Sequence, residues 1–160
     1  MKKGLLFLIP LALLLLDIAL KSFVFENATA IFSGGYSFHF SLFFLNFDLS
    51  YLENKGMAWG MFASFQTLIL LVRIGVIGYI IYGLLAKKSM QNDRFAFLMI
   101  LFGAIGNVLD TFIYGFVIDM LHFTFFGRSY GVFNIADAMI FIGAFSLLFK
   151  PKEKDFALKD

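Results

Sequence analysis

The residues of this chain that could do chemistry are a few acids and bases set among apolar neighbours. Asp17, Lys21, Arg73, Asp110 and Asp137 lie within or at the edge of long hydrophobic stretches, and Asp119 follows just beyond one of them. An ionisable group inside a membrane costs at least about 2.5–3.5 kcal/mol on insertion scales, so it usually has a task or a partner. Two carboxyls within a few ångströms cannot both ionise easily; one pKa rises and the pair shares a proton. The ionised member can then draw a proton from water while the protonated one donates to a carbonyl oxygen. That is aspartyl peptide hydrolysis, which needs neither metal nor nucleophilic side chain. A proton-coupled transporter would use the same residue types as a relay. Both readings stand on these residues alone.

Other arrangements thin out. His39 and His122 form no H-E-x-x-H and read as interfacial aromatics, so no metal centre is expected. There is no G-x-S-x-G elbow, no outer serine with a convincing lysine partner and no glycine-rich phosphate loop. The basic residues flank apolar runs and form no nucleic-acid patch. With no cysteine in the chain, disulfides, thiolate ligands and a cysteine nucleophile are excluded. No cofactor is expected.

The elements that must position these groups follow from hydropathy. The chain is 61% hydrophobic and 19% aromatic over 160 residues, where a soluble domain is about half apolar. Four stretches are long enough to cross a bilayer, about 5–25, 65–85, 95–114 and 133–149,. Lys2 and Lys3 precede the first, Lys87, Lys88 and Arg94 separate the second and third, and Lys150, Lys152 and Lys154 follow the fourth. The positive-inside bias makes these segments cytoplasmic, with both termini inside. The outer segments are then about 26–64 and 115–132. "MKKGLLFLIPLALLLLD" imitates a signal peptide but lacks an A-x-A-like site, so an uncleaved first span is expected.

In the first outer segment, "YSFHFSLF" alternates as a half-buried strand does. The alternation slips phase at Phe44-Leu45 and resumes as "LNFDLSYL", which predicts a bulge or turn between two strands. The second, "GFVIDMLHFTFFGRSYG", is assigned a short amphipathic helix at the interface.

Depth brings the charges together. Counted from the cytoplasmic side at 1.5 Å per residue, Asp17, Arg73 and Asp137 lie about 18 Å up, Asp110 about 22 Å and Lys21 about 24 Å. One polar site in the outer half of the membrane explains this better than scattered ion pairs. Gly103, Asn107, Asp110 and Thr111 share a helical stripe, and Gly103 and Gly106 would permit close helix approach. Asp17 and Lys21 share a face at i, i+4. Arg73 is expected to pair with a carboxylate or to snorkel outward. For Asp110 and Asp119 to serve one site, the helix must end between them, and Gly115 is the obvious place.

Five blocks, in order, resemble bacterial lipoprotein signal peptidase (signal peptidase II) across essentially the whole chain: "LDIALK", "LENKGMAWGMF", "GAIGNVLD", "GFVIDML" and "FNIADAMIFIG". The resemblance implies a single membrane-embedded peptidase domain over 1–160. Its fold class is an all-α membrane protein with four transmembrane helices, a small periplasmic β-cradle at about 33–62 and a short periplasmic helix. It implies an aspartic endopeptidase of the bacterial inner membrane, with its site at the periplasmic side. Such enzymes remove signal peptides from diacylglyceryl-modified prolipoproteins just before the lipidated cysteine. The family's catalytic aspartates fall on Asp119 and Asp137. Its other motif positions fall on Asp17, Lys21, Asn54, Gly56, Asn107, Asp110, Asn134 and Ala136, which support the site or bind substrate and peptide-like inhibitors such as globomycin. The implied partners are prolipoproteins, membrane lipids and such inhibitors, with no nucleic acid, and the chain is expected to be a monomer. Two positions depart from the pattern. Asp110-Thr111 stands where the family usually has Asp-Arg, leaving Lys21, Arg73 or Arg128 to compensate. Trp59 replaces a usual phenylalanine.

Overall fold

The computed structural model of the chain describes residues 3–29, 38–56 and 66–150. The long apolar runs fold as helices, because a backbone surrounded by lipid must satisfy its own N–H and C=O groups. In chain order the elements are α1 (Lys3–Glu26), β1 (His39–Leu42), β2 (Leu45–Asn54), α2 (Gln66–Ala86), the short α3 (Lys88–Asn92), α4 (Arg94–Tyr114), β3 (Val117–Phe125), β4 (Arg128–Ser129) and α5 (Ile135–Leu148). Helices α1, α2 and α4 are long and apolar enough to cross a membrane, whereas α5 has 14 residues. At 1.5 Å per residue α5 is about 21 Å long, short of the ~30 Å hydrocarbon core. The span expected at 133–149 is thus a shorter helix lying inside those bounds.

Helix α4 is the hub against which α1, α2 and α5 pack. Small residues set the spacing. A Cβ on Gly103 would lie 2.5 Å from the Ala136 backbone oxygen, so α4 and α5 meet backbone to backbone,. A Cβ on Gly106 would lie 3.1 Å from Asp17 Oδ2. Glycine at both positions lets α1 and α5 close on the polar stripe of α4. The faces turned away from α4 are apolar and exposed, among them Leu15, Leu71, Tyr82 and Phe141. Such a continuous apolar exterior is what a lipid environment demands.

The four strands form one antiparallel sheet in the order β1-β2-β3-β4. The phase slip at Phe44-Leu45 coincides with the turn between β1 and β2. The second outer segment corrects the sequence reading. Residues 117–125 form β3, not an amphipathic helix. The reason is readable afterwards: Leu121, Phe123 and Phe125 alternate with Met120, His122 and Thr124, and β2 offers that strand an antiparallel partner,. The described part of the cradle is therefore β1 and β2 together with two strands from beyond α4. A core of Val24, Ile118 and Met120, joined by Leu20, Leu49 and Ile135, fixes β3 to one end of the helices.

Strand β2 carries a bulge. Leu49 pairs with Leu121 but Leu52 with Asp119, so β2 advances three residues while β3 moves two. The extra residue reverses which face the rest of β2 presents.

Candidate active site

Two helix ends and one bulge build the site. Helix α4 stops at Tyr114 because Gly115 takes a left-handed conformation, φ +82°, with its N–H on the Thr111 carbonyl at 3.2 Å,. This is the break expected between Asp110 and Asp119. The chain turns back at once into β3, and Asp110 Oδ2 accepts the Ile118 N–H at 3.2 Å.

Helix α5 begins at Asn134, whose Oδ1 accepts the Asp137 N–H at 2.8 Å as an N-cap,. A second free N–H of that first turn, from Ala136, is taken by Asp17 Oδ1 of α1 at 3.0 Å, where the helix dipole favours an anion. The residue before the cap is clamped to β3: Phe133 accepts from Leu121 at 2.8 Å and donates back at 3.1 Å. Asn134 is thereby delivered beside Asp119.

The two aspartates meet around this asparagine. Asn134 Nδ2 donates to Asp119 Oδ1 at 2.8 Å and lies within reach of Asn107 Oδ1 and the Ile118 carbonyl, at 3.1 and 3.2 Å. Asp119 Oδ2 accepts from Asn54 Nδ2 at 2.8 Å, and Asn54 Oδ1 accepts the Gly56 N–H at 3.0 Å. The bulge makes this contact possible, since regular pairing after Leu49 would put Asn54 on the opposite face from Asp119,. Asp137 Oδ1 accepts from Asn107 Nδ2 at 2.8 Å. Three asparagines from three elements thus hold two carboxyls.

Beneath them lies an ionic cluster. Lys21 Nζ is 2.7 Å from Asp17 Oδ2, 2.8 Å from Asp110 Oδ2 and 3.2 Å from Asn107 Oδ1. The i, i+4 pair on α1 is therefore no self-contained bridge but ties α1 to α4. All four groups are buried, as a paired internal charge must be,. Asp119 is 2% exposed. That burial, and then the negative charge of Asp137, push its carboxyl up to about 7, while the Asn54 and Asn134 hydrogen bonds pull the other way,. A carboxyl near 7 can hold or release a proton at neutral pH, as general acid–base work requires. A cavity of about 440 Å³, lined by Phe133, Ala138, Phe141 and Ile142, opens beside Asp137.

The candidate residues Asp17, Lys21, Asn54, Gly56, Asn107, Asp110, Asn134 and Asp137 all enter this network with Asp119. Ala136 contributes its backbone N–H and its close contact with Gly103. Thr111 turns its hydroxyl to the Asn107 carbonyl at 3.0 Å. Arg73 sits on the inward stripe of α2, and of its two expected arrangements the ion pair is absent: no carboxylate lies within ion-pair distance of it among the described residues. His39 and His122 belong elsewhere, on either side of Asp48 on the sheet; the His39 Nδ1–Asp48 Oδ1 distance is 2.6 Å. The roles of the Phe133 clamp and the Ile118 carbonyl escape sequence reasoning, because backbone groups leave no residue-type signal. Trp59, Lys2, Lys152 and Lys154 lie outside the described residues, as do the cradle positions 33–37 and 57–62.

Known proteins resemble the chain in sequence and in fold. A sequence model of the family described as signal peptidase (SPase) II matches residues 9–151. A lipoprotein signal peptidase of Chlamydia pneumoniae is 35% identical over 107 residues, covering 66% of this chain and 64% of that protein, a little under two thirds of its length. Another, from Caldanaerobacter subterraneus subsp. tengcongensis, is 39% identical over 102 residues, 63% of this chain and 68% of that one. A solved structure titled as a bacterial membrane enzyme superposes with a TM-score of 0.74 at 25% identity, covering 99% of this chain and 96% of its own. None of these similarities supports the transporter alternative.

Proposed function

The chain belongs to the signal peptidase II family, and from that premise we propose that it is an aspartic endopeptidase of bacterial prolipoproteins. It cuts on the amino side of the diacylglyceryl-modified cysteine. Asp119 and Asp137 form the catalytic pair and share one proton. The ionised member takes a proton from a water, whose oxygen attacks the peptide carbonyl carbon as the protonated member donates to the carbonyl oxygen. When the tetrahedral adduct collapses, one of its hydroxyls returns a proton to the aspartate that had donated one, the C–N bond breaks and the proton taken from water passes to the leaving amine. The single observation that carries this reading is the convergence of the pair on Asn134, which donates to Asp119 and caps the helix turn bearing Asp137.

Asn54 and Asn107 hold each carboxyl in register, and Gly56 fixes the Asn54 amide. Asp17, Lys21 and Asp110 form the support beneath. On this reading α1, α2, α4 and the shorter α5 cross the inner membrane with both termini inside, and the site lies at its outer edge. There the acyl chains of a lipidated cysteine hold the scissile bond at the right depth. The apolar cavity beside Asp137 suits an acyl chain or the apolar stretch of a signal peptide,, and a peptide-like inhibitor such as globomycin would compete for the same carboxyls. The chain works as a monomer in lipid.

The test is cleavage of a lipidated prolipoprotein by the purified chain, compared with Asp119→Asn and Asp137→Asn. Each variant is expected to lose at least about a hundredfold in rate, the scale of an acid–base group. A wild type that leaves the substrate intact, or variants that cut as fast, would falsify the reading.

A further inference from the structure

Helix α2 is almost wholly turned to the outside, yet one charged residue interrupts its inner stripe. Val72, Ile74 and Val76 are exposed, whereas Arg73, Ile77, Ile80 and Leu84 recur at helical spacing and are withdrawn from the surface,. Ile77, Ile80 and Leu84 pack on Leu98, Leu101 and their neighbours on α4. At the other end of the same antiparallel pair, the Gln66 side chain donates to the Gly115 carbonyl. These two anchors fix the register, and between them Arg73 falls opposite Val108. It is therefore level with Asn107, the residue that holds Asp137.

The charges at this level are unbalanced. The acids are Asp17 on α1, Asp110 on α4, Asp119 on β3 and Asp137 on α5, and Lys21 is already shared by Asp17 and Asp110. Elsewhere among the described residues Lys55, Lys88 and Arg128 are exposed. Lys55 lies beside Glu53, Arg128 on β4, and Lys88 of α3 at the far end of α2.

We infer that Arg73 is a positioning residue of the catalytic pair, supplying from α2 the positive charge that holds one of its two carboxyls ionised. It acts through Asp137 and Asp119 and touches no reacting atom. Thr111, which carries no charge on the neighbouring turn of α4, leaves that role open to it. This inference rests on the peptidase reading.

The experiment compares the pH profile of kcat/KM for prolipoprotein cleavage by wild type, R73K, R73Q and the double variant R73Q/T111R. Removing one positive charge disfavours the ionised forms of the pair. The R73Q profile is expected to move to higher pH by roughly half to one unit, the effect of one charge across a site of effective dielectric about 20. R73K is expected to keep the wild-type position, and T111R to restore it from the adjacent helix. A slower R73Q with the wild-type pH profile would assign Arg73 a packing role and overturn the inference while leaving the peptidase reading intact. Should R73Q not fold, a folded R73Q/T111R enzyme with the wild-type profile supports the inference, and one with a displaced profile, or one that also fails to fold, overturns it. A wild type that cuts nothing removes both.

Discussion

Asn134 does two jobs with one side chain, and they can be separated. Its oxygen caps α5 and its nitrogen donates to Asp119. Serine is as good a cap as asparagine but has no amide to offer. Asn134→Ser is expected to keep the melting temperature within a few degrees while lowering cleavage at least tenfold, whereas Asn134→Ala loses the cap as well, at a cost of about 1 kcal/mol. Thermal melts and initial rates on the same preparations check this. Asp119 makes a prediction in pH. Its folded carboxyl titrates near 7, above the ordinary aspartate value. Between those two values the folded state holds a proton that the unfolded state has released. Stability from this group therefore falls as pH rises, and the loss is complete above about 7. Asp119→Asn removes that dependence, so its gain in stability over wild type is expected to be larger at pH 8 than at pH 5, by on the order of 2 kcal/mol. Equal shifts in melting temperature at both pH values would contradict it.

Among the elements, the bulge of β2 is the least conspicuous part of the site and one of the most consequential. Strand side chains alternate with a period of two, so a single inserted residue decides whether Asn54 faces Asp119 or faces away. Inserting one alanine between Leu52 and Glu53 keeps the bulge but moves Asn54 one place along β2, onto the face away from Asp119,. This insertion is expected to lower the cleavage rate at least tenfold while the sheet persists by circular dichroism. An insertion variant with wild-type activity would mean that Asn54 is dispensable. The close contact of α4 with α5 follows the same logic of register. The Gly103 contact with Ala136 holds Asn107 at hydrogen-bonding distance from Asp137. A side chain there would separate the two helices.

Across the whole molecule, Lys21 is the tie. It joins α1 to α4 through Asp17 and Asp110, while Asp17 reaches on to the first turn of α5. Removing one partner of a buried ionic cluster leaves the others uncompensated and typically costs about 3–5 kcal/mol. Lys21→Met is accordingly expected to lower the melting temperature sharply, and pairing it with Asp17→Asn to recover part of the loss. If Lys21→Met melts with the wild type, the cluster contributes nothing to assembly. Much of this arrangement was legible beforehand. Hydropathy located the long helices, Gly115 marked the break after α4, and the shared depth of the charges pointed to one site. The short helix assigned to the second outer segment was misread because the aromatic pattern of residues 117–125 suits an interfacial helix nearly as well as a strand. Only the presence of β2 as a partner distinguishes them.

The sequence by itself determined which residues are chemically able and where each lies along its own helix, because hydropathy and helical rise are properties of one segment at a time. It also sufficed to associate Asp119 with Asp137, through the order of five motifs. The tertiary structure alone decided that Asp17 caps α5, that Lys21 serves α4 as well as its own helix, that a bulge turns Asn54 inward, and that Arg73 faces the bundle. Each of these depends on the register between two segments distant in the chain. That register is set by glycine contacts, strand pairing and a helix cap acting together, and no single stretch of sequence encodes it.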